Sequence, residues 1–147
     1  MLTGFAEIDL VGTGLTQPYL KQVTAAAGDA VCNDLWAAAA SLAQRFPQPS
    51  AERDAATRAE ILAASRFGPV ARALLKMWYL GRWEQMPAEW RQQYGTASAD
   101  ENRVISGLAY KQSLVWRACG THPPGARASG FGTWADAPPV ALVKGSR

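Results

Sequence analysis

The sequence has little of the chemistry that metal centres and redox sites require. It contains one His and two Cys in 147 residues, and Cys32 and Cys119 lie too far apart to form a ligand motif for zinc, haem or an iron–sulfur cluster. His122 lies in a Pro/Gly-rich segment, and no carboxylate or nucleophile forms an evident motif with it. We therefore expect an exposed loop histidine rather than a general base, and no metal ligands.

Long apolar runs and alternating segments are also missing. No run approaches the roughly 20 apolar residues that span a bilayer, and the N-terminus has neither the basic nor the apolar region of a signal peptide. No segment alternates apolar and polar residues well enough to predict a strand. The hydrophobic fraction of 48% nevertheless excludes disorder over the whole length. We expect a folded chain without a signal peptide of its own.

Catalytic and cofactor motifs are incomplete. Residues 8–14 imitate the strand and glycine turn that open a dinucleotide-binding unit, but Gln17 stands where the third glycine belongs, and no second strand follows. We interpret this segment as a loop that leads into a helix. Glu84 and Glu89 lie in a polar stretch, where solvated carboxylates are far commoner than a catalytic pair. No catalytic residue and no bound cofactor is therefore predicted.

Helical apolar spacing runs through most of the chain up to residue 119, which predicts an all-α fold. The expected architecture is a small bundle of four or five helices. Caps and breakers predict their bounds, which are Thr16 to about Gly28, Asp29 to about Phe46, Ser50 to about Phe67, Pro69 to about Trp83, and Val104 to Cys119. The polar stretch over residues 84–102 shows no clear pattern.

The same spacing predicts which side chains form the core. In the fourth helix, Leu74 and Trp78 lie on the face that we expect to be buried. The other expected core positions are Val31, Leu35, Ala38, Leu42 and Phe46 in the second helix, Ala55, Ala59, Ile61 and Leu62 in the third, and Val104, Leu108 and Val115 in the fifth.

The C-terminal segment differs in composition from the rest of the chain. Residues 120–147 contain several Pro and Gly and show little periodicity, so we expect a long, extended and irregular arm. The predicted division is a helical domain over residues 1–119 and a Pro/Gly-rich arm over residues 120–147.

Tryptophan is abundant and is concentrated in the second half. Of the six Trp, only Trp36 lies in the first half, and about half of the rings are expected to fill the core. Most of the basic residues are Arg, which is enriched in protein interfaces. We expect a partner surface formed by Tyr79, Trp83, Tyr110 and Trp134. Trp134 has no helical face to join, so its ring needs a pocket either on this domain or on a partner.

Short motifs along the chain resemble those of a known family. They are Met77-Trp78-Tyr79-Leu80-Gly81, Ala109-Tyr110-Lys111-Gln112-Ser113-Leu114-Val115-Trp116, Pro124-Gly125, Trp134-Ala135-Asp136-Ala137-Pro138 and, near the N-terminus, Leu2-Thr3-Gly4. Together they resemble the small subunit of membrane-bound FAD-dependent sugar and polyol dehydrogenases. This family includes the small subunits of sorbitol, fructose and glucose dehydrogenase complexes.

The resemblance implies a helical, non-catalytic subunit that binds no cofactor itself. Such a subunit accompanies a large FAD-carrying catalytic subunit, often with a multihaem cytochrome c subunit. It assists maturation of the large subunit, and the folded complex is commonly exported through a twin-arginine signal. The resemblance therefore implies a periplasmic location, with membrane contact only through the complex.

The two cysteines have two interpretations. The resemblance makes Cys119 a candidate for an inter-subunit disulfide, although the stretch between Cys119 and Trp134 is longer than the family pattern. An intrachain bridge between Cys32 and Cys119 is the alternative, and it requires close Cα atoms and an oxidising compartment.

Two other classes of function compete with the accessory subunit. A net charge of +3 and a pI near 9.1 suggest a stand-alone basic helical module that binds nucleic acid or another acidic partner. However, the basic residues are mixed with acidic ones and no helix shows a basic stripe, so no nucleic-acid partner is predicted. A small stand-alone enzyme is disfavoured by the lack of a catalytic motif. Steep salt dependence of DNA binding would favour the basic module, and turnover by the isolated chain would favour the enzyme.

Overall fold

A computed structural model describes residues 14–123 and, in the C-terminal segment, the backbone of residues 126–127 and 130–131. Helices dominate this part of the chain, and each strand is only two residues long. In chain order the elements are α1 (Thr16–Ala27), α2 (Asp29–Arg45), α3 (Ala51–Ala56), a π-helical segment (Thr57–Leu62), α4 (Gly68–Leu80), β1 (Arg82–Trp83), α5 (Ala88–Tyr94), β2 (Arg103–Val104), α6 (Gly107–Lys111), α7 (Val115–Ala118), β3 (Ala126–Arg127) and β4 (Gly130–Phe131). The predicted all-α fold is confirmed.

The chain divides into two units, Met1–Leu114 and Val115–Arg147. The first contains α1 to α6 and the antiparallel pair β1–β2. The second contains α7 and an antiparallel hairpin formed by β3 and β4. This hairpin lies in the segment predicted to be an irregular arm. Strands of two residues are too short for their alternation to appear in a sequence pattern.

The core of the first unit forms mainly from side chains of α1, α2 and α4. Leu74 and Trp78 are buried, with 6% and 5% of their surfaces exposed, so this prediction is confirmed. The other large core side chains are Leu15 directly before α1, Tyr19 and Val23 from α1, Val31, Leu35 and Leu42 from α2, Ile61 from the π-helical segment, Val70 and Met77 from α4, and Trp83, Met86 and Trp90 from the residues that follow.

The helix caps agree with the sequence only in part. Ser50 caps α3 as predicted, because its Oγ accepts a hydrogen bond at 3.1 Å from a backbone N–H in the first turn. The predicted caps at Thr16 and Asp29 are wrong: both residues lie inside their helices, and Leu15 and Gly28 hold the cap positions. Gly28 has a φ of 82°, a conformation that favours glycine and separates α1 from α2.

The third predicted helix changes from α to π geometry partway along. The π-helical segment closes its hydrogen bonds over one more residue per turn, which rotates its side chains relative to an α-helix. Arg53 and Ile61 are buried, whereas Ala55 and Ala59 are exposed. The predicted burial of these two alanines is therefore wrong.

Close backbone contacts position both ends of α4. A Cβ atom on Gly68 would lie 2.7 Å from the carbonyl oxygen of Leu62, so glycine allows the helix to begin against the π-helical segment. At the other end, Gly81 has a φ of 67°, and a Cβ there would lie 2.6 Å from the carbonyl oxygen of Ala109. The helix therefore ends before Trp83, the predicted last residue, which lies on β1 instead.

A buried carboxylate organises the polar stretch after α4. Asp100 is 1% exposed, and its carboxylate accepts hydrogen bonds from Trp83 Nε1 at 2.9 Å and from the Met86 backbone N–H at 3.0 Å. Next to it, Gln22 of α1 donates through Nε2 to the carbonyl oxygen of Ala99 at 2.9 Å. These bonds hold the loop before β2 against α1 and against the chain that follows α4.

The predicted fifth helix, Val104 to Cys119, is wrong. This stretch contains β2, α6 and α7 instead of one continuous helix. The backbone N–H of Leu114 donates to the carbonyl oxygen of Trp78 at 3.3 Å, so a group that a continuous helix would use internally bonds to α4. Val104 and Leu108 are 55% and 41% exposed rather than buried.

Candidate functional site

An apolar cavity of about 150 Å³ lies between α2, the π-helical segment and α4. Its lining residues are Leu35, Trp36 and Ala39 from α2, Thr57, Ile61 and Leu62 from the π-helical segment, and Ala71, Leu74, Leu75 and Trp78 from α4. None of these side chains is titratable. This cavity, called here the α2–α4 cavity, is therefore suited to burying an apolar group rather than to moving a proton.

Two exposed ion pairs tie the walls of the α2–α4 cavity together. Arg45 near the end of α2 makes two hydrogen bonds to the Glu60 carboxylate, at 2.6 and 2.9 Å, and this bonding lowers the pKa of Glu60. Arg66, in the turn before α4, pairs with Asp34 of α2 at 2.7 Å. Exposed pairs of this kind contribute little to stability, and these two join α2 to the π-helical segment and to the turn before α4.

Two of the residues that line the cavity have polar side-chain atoms in different environments. Thr57 Oγ1 donates to the backbone carbonyl of Arg53 at 2.8 Å. Trp78 Nε1 is buried and has no hydrogen-bond partner among the described residues, as is also the case for Ser113 Oγ. The Trp78 ring also lines the α2–α4 cavity.

Beside the cavity, α4 presents an exposed apolar face. Leu75 and Tyr79 are 39% and 51% exposed. They lie four residues apart on α4, so they are neighbours on one side of the helix. Because Leu75 also lines the cavity, this pair, called here the Leu75–Tyr79 face, continues the apolar lining onto the surface.

The predicted interface residues have different environments. Tyr79 is exposed and Tyr110 is half-buried, and their role at an interface stays a prediction. Trp83 is fully buried at 0% exposure and donates to Asp100, so its assignment to a partner surface is wrong. Trp134 lies outside the described residues. The acceptor for the Trp83 indole is 17 residues away along the chain, so no local pattern in the sequence indicates that this side chain is buried.

Both cysteines are free thiols in this structure. Cys32 is buried, and burial raises the pKa of its thiol. Cys119 is exposed. No intrachain bridge joins them in this structure, and the inter-subunit disulfide of Cys119 stays a prediction.

The remaining sequence candidates do not form a common site among the described residues. Glu84 pairs with Lys76 at 2.6 Å, while Glu89 lies exposed on α5. His122 is exposed, with Nδ1 at 3.1 Å from the carbonyl oxygen of Pro123. Of the segment that imitates a nucleotide-binding turn, residues 8–13 lie outside the described part.

Two kinds of structure are absent from the described part of the chain. It contains no group of three or more His, Cys, Asp or Glu side chains placed to hold a metal ion. No helix in it is both long enough and apolar enough to cross a membrane.

No protein-family model, curated protein or solved structure matches this chain. The described part includes two of the motifs that carry the family resemblance, residues 77–81 and 109–116. The motifs at residues 2–4 and 134–138 and the Pro124-Gly125 pair lie outside it.

Proposed function

We propose that this chain is a non-catalytic accessory subunit that binds and stabilises the FAD-carrying catalytic subunit of a sugar or polyol dehydrogenase complex. The proposal includes a role in maturation or export of that subunit. Its starting point is the resemblance of the short motifs, above all Met77 to Gly81. The FAD belongs to the partner in this proposal, and this chain supplies a binding surface.

The observation that carries the proposal is the exposure of Tyr79 within that motif. Met77 and Trp78 are 0% and 5% exposed and form part of the core, and Gly81 allows close contact with α6. Tyr79 alone of these four residues is more than half exposed, at 51%. Because about half of the Tyr79 surface reaches solvent, its ring is available to pack against a partner, as aromatic anchors of interfaces do.

The α2–α4 cavity adds a second element of an interface. Energetically dominant contacts between proteins are commonly apolar or aromatic side chains that enter a pocket surrounded by a less important rim. The cavity, the Leu75–Tyr79 face and the ion pairs at the cavity walls have this arrangement. In the proposed complex, an apolar side chain of the catalytic subunit enters the cavity, and its neighbours cover Leu75 and Tyr79.

The proposed setting follows from the same resemblance. The complex is periplasmic, includes a multihaem cytochrome c subunit in some members, and contacts the membrane through the other subunits. Trp134 is proposed as a further anchor on the partner.

Capture of an identified flavoprotein tests the proposal. The full chain, carrying an affinity tag, is expressed in its source organism and purified with whatever it binds. We expect a large co-purifying protein that releases FAD on denaturation and that reduces an artificial electron acceptor when a sugar or polyol is added. The variants Leu75→Ser and Tyr79→Ser should reduce this capture at least about tenfold, as expected for interface hot spots.

The exposed residue Gln92 on α5 provides the matched control. Gln92→Ser should capture as much flavoprotein as the unaltered chain, and all three variants should melt within a few degrees of it, because the altered side chains are exposed. Trp134→Ala should likewise reduce capture without lowering the melting temperature. Failure to recover any FAD-containing protein, or full capture by the Leu75 and Tyr79 variants, would contradict the proposal.

A further inference from the structure

The α2–α4 cavity is an apolar volume that the described side chains do not fill. It measures about 150 Å³, whereas protein interiors contain few voids larger than a water molecule. Two buried alanines, Ala39 of α2 and Ala71 of α4, line the cavity at positions where longer side chains would occupy it. Atoms that face such a cavity lose dispersion contacts on that side. An occupant of matching shape and polarity would restore those contacts.

The cavity is partly open to the surface beside the Leu75–Tyr79 face. Leu75 lines it and is 39% exposed, and Trp36 and Leu62 of its wall are half-buried. The buried side chains of the lining are Leu35, Ala39, Ile61, Ala71, Leu74 and Trp78. A side chain that projects from the surface of a partner can therefore pass Leu75 and reach the buried part of the lining.

One wall of the cavity has an uncommon backbone geometry. The π-helical segment supplies Thr57, Ile61 and Leu62 to the lining. Helical turns of this kind are rare in proteins and occur frequently at functional sites. The geometry of this wall is thus a second observation, separate from the volume, that favours a binding site.

The composition of the lining favours an aromatic ring as the occupant. No charged side chain lines the cavity, so a charged group would lose its water without gaining a counter-charge. The indole rings of Trp36 and Trp78 form part of the wall, and an aromatic pair in edge-to-face or offset contact adds about two- to twelvefold in affinity beyond the area that it buries. An engineered apolar cavity of about the same volume, roughly 150 Å³, binds benzene.

We infer that the α2–α4 cavity binds one uncharged aromatic ring of about the size of benzene, and that the partner supplies this ring as a phenylalanine side chain. Phenylalanine carries such a ring on a single methylene, whereas tryptophan adds a second ring and tyrosine adds a hydroxyl. The hydroxyl in the lining, that of Thr57, already donates to the carbonyl oxygen of Arg53 at 2.8 Å, so a tyrosine hydroxyl would be poorly compensated for the water that it loses. The inference rests on the proposed function in taking the FAD-carrying subunit as the source of the phenylalanine.

Small analogues of side chains test the cavity without the partner. The probes are toluene for phenylalanine, its saturated counterpart methylcyclohexane, 3-methylindole for tryptophan and butylamine for lysine. Binding to the full chain is measured by isothermal titration calorimetry. We expect one toluene per chain, bound at least about threefold more tightly than methylcyclohexane, and no measurable binding of butylamine or 3-methylindole. Absence of toluene binding, or equal binding of methylcyclohexane, would overturn the inference.

Two substitutions with opposite effects locate the bound ring. Ala39→Leu adds carbons inside the cavity and should weaken toluene binding at least about tenfold. Ala37→Leu is the matched control, because it makes the same change at an exposed position of α2, and it should leave binding unchanged. Leu74→Ala enlarges the cavity and should allow 3-methylindole to bind. This gain of binding keeps the test decisive if Ala39→Leu does not fold, which circular dichroism establishes. Unchanged toluene binding by folded Ala39→Leu, or no 3-methylindole binding by folded Leu74→Ala, would place the ring elsewhere and overturn the inference.

Capture of the flavoprotein tests phenylalanine as the source of the ring. Ala39→Leu should reduce this capture at least about tenfold, and Ala37→Leu should not. N-acetyl-phenylalaninamide should displace the flavoprotein at lower concentration than N-acetyl-leucinamide or N-acetyl-tyrosinamide. If folded Ala39→Leu captures the flavoprotein normally, or the three amides displace it equally, the inference is wrong while the accessory role stands. If toluene binds as expected but no flavoprotein is recovered, the accessory role is wrong and the cavity remains a site for an aromatic ring.

Discussion

Removal of the Asp100 carboxylate tests how the polar stretch after α4 is held. In the structure this carboxylate accepts hydrogen bonds from the Trp83 indole N–H at 2.9 Å and from the Met86 backbone N–H at 3.0 Å. Asp100 itself is buried, with 1% of its surface exposed. Asp100→Ala leaves two buried donors without an acceptor. At about 1–3 kcal/mol for each unsatisfied group, the free energy of unfolding should fall by about 2–6 kcal/mol.

Asp100→Asn provides a graded version of the same change. Trp83 and Met86 both donate to the same oxygen, Oδ1, and Oδ2 lies at 3.2 Å from the Met86 N–H. Asn keeps one acceptor oxygen that can serve both donors but loses the second contact and the charge, so the loss should lie between zero and that of Asp100→Ala. A double-mutant cycle with Trp83→Phe isolates one contact. Because phenylalanine has no N–H to leave unpaired, Asp100→Ala should cost about 1–3 kcal/mol less in that background.

The assay is urea unfolding followed by far-UV circular dichroism, which does not depend on the altered tryptophan. The midpoint should fall while the slope with denaturant stays constant, since the exposed surface of the unfolded chain is unchanged. Asp34→Ala, which breaks an exposed ion pair with Arg66, is the control and should cost less than about 1 kcal/mol. A loss below about 1 kcal/mol for Asp100→Ala, or no coupling to Trp83, would refute the account of a buried hydrogen-bonded hub.

Two further predictions concern packing and alkaline stability. Leu74→Ala should lower the free energy of unfolding by about 2–5 kcal/mol because it enlarges a cavity in the core. Leu75 is 39% exposed, so Leu75→Ala should lower it by less than about 1 kcal/mol. Similar losses for the two variants in urea unfolding would mean that the buried face of α4 is misassigned. Burial raises the pKa of Tyr19 to about 12, so the folded state holds this proton more tightly than the unfolded state does. The resulting contribution to the free energy of unfolding is present below pH 10 and is lost as the pH rises towards 12. The loss is at most about 2.7 kcal/mol. Tyr19→Phe should therefore lose less stability between pH 9 and 11 than the unaltered chain, while the exposed control Tyr79→Phe should follow the unaltered chain; identical pH profiles for all three would show that Tyr19 makes no such contribution.

Local sequence determined the long helices and their buried sides. Apolar spacing places Leu74 and Trp78 in the core, and a serine before an acidic turn predicts the Ser50 cap, because both effects depend on residues within one or two helical turns. These features require no knowledge of distant residues.

Only the tertiary structure determined the regions where hydrogen bonds join residues that are far apart in the sequence. Val104 and Leu108 have helical spacing, but no continuous helix forms there because the Ile105 N–H donates to the Gly81 carbonyl oxygen at 3.1 Å. The backbone of Ala109 lies so close to Gly81 that α4 cannot extend further. Trp83 has the aromatic character of an interface residue, but its indole N–H donates a hydrogen bond to the buried Asp100 carboxylate, and the ring lies in the core. Local periodicity carries no information about a partner 17 residues away, so burial of Trp83 and the assembly of the α2–α4 cavity follow from three-dimensional packing alone.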